Sequence, residues 1–376
     1  MLIFAAILAM FVYGMTAAML GTILPGLSDR FQLSPAQNGT IAFAQGLGLI
    51  IASIGVGPLL DAEGDKIGLV LGLSFIAIAL FALPRSRGFR SIVALLFLLG
   101  CGGIVVTSVT VLVSAVSAAH RASSLNLVNL FFGLGAFATP FISANIFKKN
   151  WVRLCYIVAS LTVVTLVIET IPKMPAPTGG TGFVLAEVGP VLGRPLLFMF
   201  ALFIFLYLSC ESGMWNWLPR HLIAQGIPEA RALNILSFGF ALGMLVGRAA
   251  VLPVLISVPP IIVTLAASSA MAVTTFLMLR TNRPAVASVL VFLAGAFMAP
   301  VFPTALAIVG AVFPRMTGTA MGFIVTCGWV GLAVTSRLIG AIAGSDPTRL
   351  KKALLLIPAS ATLMVILNLA IWGVLR

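Results

Sequence analysis

The chain has 376 residues, 61% of them apolar and 8% charged, with a formal net charge of +13. Soluble domains carry roughly a quarter charged residues, so this composition excludes a soluble globular protein and asks for a bilayer as solvent. The basic residues stand singly or in small groups at the ends of apolar runs, which suits lipid headgroups and not nucleic acid.

Crossing a bilayer takes about 20 apolar residues. Twelve stretches qualify, at roughly 2–27, 36–60, 67–84, 91–118, 124–147, 154–172, 195–219, 232–252, 258–279, 285–313, 318–344 and 353–375. The first has no charge before Asp29, so it lacks the basic start of a signal peptide and reads as a spanning helix carrying Tyr13. The second carries Gly48, Ala52 and Gly55, a stripe of small residues that lets helices approach closely. The turn after it, "GPLLDAEGDKIG", gathers Asp61, Glu63 and Asp65, three of the nine acids in the chain.

Thr107, Thr110, Ser114 and Ser117 recur at i, i+3, i+7 and i+10 on the fourth stretch. On a cavity wall they wet the pathway; facing lipid they bond their own backbone. Asn126 and Asn129 share a face of the fifth, where ligand contact and helix–helix bonding both fit. After the sixth comes the longest connection, with "KMPAPTGGTG". This Pro/Gly-rich linker gives the expected division: 1–172, a linker 173–194, and 195–376.

Tyr207, Glu211 and Trp215 lie at i, i+4 and i+8 on the seventh stretch, one face of a helix. A carboxylate between two aromatic rings can orient a polar ligand while the rings cover its apolar side. Glu211 is also the residue expected to take up a proton. Gly239, Gly243 and Gly247 form a second small-residue stripe on the eighth stretch, and Pro300 and Pro303 are expected to bend the tenth. Four charges fall inside spanning stretches: Glu169, Glu211, Arg248 and Arg337. Charges there are costly, so each asks for a role. Glu169 and Arg248 are expected to reach the interface, and Arg337 to bind an anion or pair with Glu211.

His120 and His221 have no second ligand at metal spacing, and the four cysteines stand alone in apolar runs. With no HExxH, GxSxG or phosphate loop, no enzyme, cofactor or metal is expected. A shift of the chain by 194 puts Tyr13 on Tyr207, Leu24-Pro25 on Leu218-Pro219, Ile41 on Ile235 and Arg121 on Arg315. One residue more puts Gly133 on Gly328. Two like halves of six helices are a known transporter architecture.

The turn 57–68 resembles the signature loop of the major facilitator superfamily, standing here as Gly57, Asp61, Gly64 and Lys66, with Gly68 following. Asp61 is expected to cap the third helix and Gly64 to make the tight turn. Ala62 and Asp65 stand where that family usually has basic residues. "YLSCESGMWNWLP", "LNLVNLFFGLGAFATP" and "APVFPTALAIVGAVFPRMTG" resemble the fucose-permease-like branch, known for proton-coupled sugar uptake. The coupling acids of that branch lie in helices 1 and 4; helix 1 here has no acid or base, and helix 4 none in its core.

The resemblance implies an all-α membrane protein of twelve transmembrane helices in two pseudo-symmetric six-helix bundles, with helices 1, 4, 7 and 10 around a central cavity. It implies a multi-pass protein of the bacterial inner membrane with both ends in the cytoplasm. Most Lys and Arg then fall in outer loops, the reverse of the usual positive-inside bias. The expected function is secondary active transport of a small polar solute, sugar-like or an organic anion, with protons as co-substrate, by a monomer among membrane lipids. The expected substrate residues are Tyr13, Thr107, Thr110, Ser114, Asn126, Tyr207, Glu211, Trp215 and Arg337. Export of amphipathic compounds or lipids, and a non-transporting membrane receptor, are the alternatives.

Overall fold

The computed structural model describes residues 1–33, 35–147, 150–172, 189, 193–281, 283–343 and 347–375. The linker expected at 173–194 lies almost wholly outside them. Among the described residues there is no strand, and twelve helices are long and apolar enough to cross a membrane. They are α1 (Leu2–Leu24), α2 (Thr40–Glu63), α3 (Asp65–Arg85), α4 (Phe89–Val116), α5 (Ala118–Ser143) and α6 (Trp151–Thr170). The second set is α7 (Pro195–Ala224), α8 (Ile235–Ser257), α9 (Pro260–Arg280), α10 (Pro284–Val312), α11 (Thr317–Ala343) and α12 (Arg349–Leu375).

Two of these helices break near their middle. In α4, Phe89–Cys101 and Ile104–Val116 are separated by Gly102 and Gly103. In α10, Pro284–Met298 and Val301–Val312 are separated by Ala299 and Pro300. The causes differ. Two glycines carry weak helix propensity, and the chain there tightens to a short-range bond from the Gly103 N–H to the Gly100 carbonyl at 2.9 Å. Proline has no N–H to give and crowds the preceding turn. Pro303, also expected to bend α10, sits inside a regular helix. A third irregularity is a π-helical turn, Ile235–Ala241, at the start of α8.

Glycines set how closely the helices pack, and they do so twice. A Cβ at Gly48 would collide with the Phe97 carbonyl, and one at Gly100 with the Gln45 carbonyl, so α2 and α4 touch backbone to backbone. Each pair recurs 195 residues on (48 to 243, 97 to 292, 100 to 295, 45 to 240) as Gly243 on Phe292 and Gly295 on Phe240, between α8 and α10. Gly247 lies on the Ala296 carbonyl in the same seam, which places the expected stripe of α8. Gly14 and Gly135 join α1 to α5 in this way, and Gly331 joins α11 to α7. The stripe expected on α2 is shorter than its sequence suggested. Gly55 is exposed, with open space where a side chain would go.

The chain forms two compact units. The first holds Met1–Ala119, Leu127–Val188 and Phe313–Phe323. The second holds His120–Asn126, Gly189–Val312 and Ile324–Arg376. The first turn of α5 thus groups with the second unit, and the first turns of α11 with the first.

Candidate substrate residues and the signature loop

In the second unit the polar face of α7 is built as its spacing suggested. Tyr207 is fully buried, with its ring 6.1 Å from that of Phe302 on α10. One turn on, the half-buried Glu211 carboxylate comes close to the Tyr207 hydroxyl, short of full hydrogen-bond geometry. Trp215, another turn on, is 39% exposed and meets Phe240 edge-on at 5.2 Å. Other faces of α7 hold it in place. The Ser209 hydroxyl donates to the Gly331 carbonyl at 3.2 Å, and the Cys210 thiol to the Ile357 carbonyl at 3.3 Å.

Arg248 of α8 was expected at the membrane surface, and the structure corrects this. It is only 6% exposed and lies near enough to act electrostatically on the Tyr207 hydroxyl, beside Glu211. A long cation reaches for the surface only when no compensating charge is nearer, and here Glu211 supplies one. The sequence did hold a signal: an intramembrane Arg and an intramembrane Glu in successive helices. Asn126 is drawn into this unit as a fastener. Its Nδ2 donates to the Thr304 hydroxyl on α10 and to the Ala122 carbonyl, both at 2.9 Å. Arg337 lies on α11, but its side chain is outside the described residues.

In the first unit Tyr13 is buried and stacks on Phe132 at 5.8 Å. A methyl added at Gly103, in the break of α4, would stand 3.3 Å from its hydroxyl. The hydroxyl stripe of α4 divides. Thr110 donates to its own backbone at Val106, 2.7 Å away. The fully buried Thr107 hydroxyl finds no partner among the described residues, and Ser114 is buried as well. Glu169, expected at the interface, is fully buried in α6, and neither carboxyl oxygen has a hydrogen bond among the described residues. It points inward because the face of α6 that carries Thr162 and Thr165 is the buried one.

The signature loop departs from expectation in what Asp61 caps. The residue is 3% exposed, and its partners are on α11, not α3. Oδ1 accepts from the Gly318 N–H at 2.9 Å, and Oδ2 from the Thr319 N–H at 2.7 Å and the Thr319 hydroxyl at 2.6 Å. These are unpaired first-turn amides, so the carboxylate meets the positive end of the helix. Close approach is possible because Gly57 faces Gly318, where a Cβ would stand 2.5 Å from the Gly318 carbonyl oxygen. Nothing near Asp61 in sequence named these partners; "TGT" after Pro314, a short start to a helix, was the one available sign. The Lys66 ammonium donates to the Thr170 carbonyl at 3.0 Å, capping the C-terminal end of α6.

Gly64 begins α3 at φ 86° and ψ 166°, a region open almost only to glycine. Gly64→Ala is expected to cost about 1–3 kcal/mol, read as a lower unfolding temperature in detergent. An unchanged temperature would show that the turn has another accessible shape.

Twelve apolar helices with a duplicated packing pattern, buried polar faces and an acid-capped crossing define a polytopic α-helical protein built as a two-fold repeat. The chain belongs to the major facilitator superfamily, whose family model matches residues 6–336. It is 24% identical over 352 residues to the glucose/mannose transporter of Bacillus subtilis, covering 89% of this chain and 86% of that one. It is 30% identical over 142 residues to the 4-hydroxybenzoate transporter of Pseudomonas aeruginosa; that match spans 37% of this chain and only 32% of the relative's length. Its fold matches the crystal structure of FucP in the outward conformation with a TM-score of 0.86 at 18% identity, covering 98% of both chains.

Proposed function

We propose that this multi-pass membrane protein is a secondary active transporter. It moves a small polar solute, sugar-like or an organic anion, by alternating access, with Glu211 as proton carrier. The observation that carries the reading is the face of α7, where a half-buried acid sits between the buried Tyr207 and the part-exposed Trp215. An acid inside an apolar helix is expensive unless it serves transport or a structural pair. Relatives that carry glucose/mannose and 4-hydroxybenzoate set the size and polarity of the solute. Tyr13, Thr107 and Ser114 of the first unit complete the proposed solute contacts. The Asp61 contact with α11 serves as the gate, and Gly57, Gly64 and Lys66 shape its loop.

Reconstitution in liposomes tests this. Glucose and 4-hydroxybenzoate are the probes, each offered with an inward proton gradient and, separately, in exchange mode. The expected result is saturable flux of at least one probe. Glu211→Gln is expected to abolish gradient-driven accumulation while leaving exchange. Absence of flux in both modes would sink the transporter reading; loss of exchange along with accumulation in Glu211→Gln would remove the proton role.

A further inference from the structure

We propose that Arg248 is the carboxylate-binding residue of the second unit, and that the Glu211 carboxylate and a carboxylate on the substrate occupy it in turn. The inference rests on the transporter reading above and narrows the solute to a monocarboxylate.

The argument begins with position. Arg248 follows Gly247, whose backbone lies on the Ala296 carbonyl, so this stretch of α8 is clamped against α10. Its side chain is buried, and its charge and that of Glu211 converge on the Tyr207 hydroxyl. A buried guanidinium needs a counter-charge, and its planar fork of donors matches a carboxylate better than any neutral hydroxyl. Glu211 provides that counter-charge from its own helix.

Among the described residues, the elements packed against α7 add no other charge to the cluster. The π-turn Ile235–Ala241, α10, and the Leu356–Leu375 part of α12 contain none. Arg231, Arg349, Lys351 and Lys352 lie toward its ends, where Lys351 acts on His221, ten residues from Glu211. The Arg337 side chain is not described.

The exchange follows from charge balance. A proton from water binds a carboxylate oxygen of Glu211 and forms the neutral acid. Arg248 then lacks its counter-charge, and an entering monocarboxylate restores it. One proton and one anion move together without net charge, and nothing is oxidised or reduced. Trp215, one turn beyond Glu211 and part exposed, offers its ring to the apolar part of the ligand. A neutral sugar would leave the buried cation without a partner once Glu211 is protonated.

The test uses the full chain in detergent, with benzoate against benzamide and glucuronate against glucose, at pH 5.5 and 7.5. At least one acid is expected to bind more tightly than its neutral partner, and more tightly at the lower pH. Arg248→Gln should weaken that binding roughly 10- to 100-fold, and Arg248→Lys, which keeps the charge and loses the fork, by less. Glu211→Gln should bind the acid at both pH values alike. Gradient-driven glucuronate or benzoate uptake in liposomes should ignore the membrane potential. If acids bind no better than their neutral partners, or a folded Arg248→Gln binds them as the parent does, the inference fails. Saturable glucose flux untouched by Arg248→Gln would overturn it while leaving the transporter reading standing. No binding and no flux for any probe would overturn both.

Discussion

Asp61→Asn is expected to lower the unfolding temperature in detergent and to slow any flux the protein supports. Its carboxylate accepts three hydrogen bonds at 2.6–2.9 Å from Gly318 and Thr319. Bonds to a charged group contribute about 1.5–3 kcal/mol each, and the bare end of a helix favours an anion. Asparagine keeps the shape but offers one oxygen and turns an NH2 toward donors. Part of the loss is recovered by relaxation, so about 2–4 kcal/mol is the expected cost. Thr319→Val removes one of the three bonds and should lose roughly a third as much. Equal unfolding temperatures for the Asn variant and the parent would mean that the helix end finds other acceptors.

The second large effect is expected at Gly243. An added Cβ meets the Phe292 carbonyl group, with its carbon at 3.0 Å, and the Ala296 nitrogen at 3.2 Å. These are backbone atoms, so no side chain can turn aside and α8 must move from α10. Gly243→Ala should destabilise by about 1–3 kcal/mol, the range for overpacking. The repeat-related Gly48→Ala should do the same between α2 and α4. The control is Gly373→Ala in α12, where nothing lies within 4 Å. There alanine should be neutral or stabilise by up to about 1 kcal/mol through helix propensity. Opposite signs in one unfolding assay would establish close packing as the cause; equal signs would refute it.

The twelve helices and their duplication were legible because both rest on patterns along the chain. Apolar runs fix the spans, and the offset of 194–195 that aligned Tyr13 with Tyr207 also aligns Gly48 with Gly243. The face of α7 was legible for the same reason, since i, i+4 spacing within one helix needs no tertiary information. What failed depends on neighbours the sequence does not place. Asp61 was assigned to the nearest helix start, α3, and found one more than 250 residues away. Arg248 was sent to the surface because its partner is on another helix. Thr110 and Thr107 share a stripe, yet one bonds its own backbone and the other does not.

One pair of helix crossings has a further consequence. The crossing of α2 with the start of α11 has a mate 195 residues on, where the Ser123 hydroxyl on α5 donates to the Leu252 carbonyl of α8 at 3.2 Å. Ser123 corresponds to Gly318 and Leu252 to Gly57, while the place of Asp61 is taken by Ile256. One copy is therefore held by a buried anion and three bonds, the other by a single neutral bond. Halves that began alike no longer release alike. The α5–α8 crossing yields first and often, and the α2–α11 crossing keeps the clock: the waiting time for both to part is set by one carboxylate.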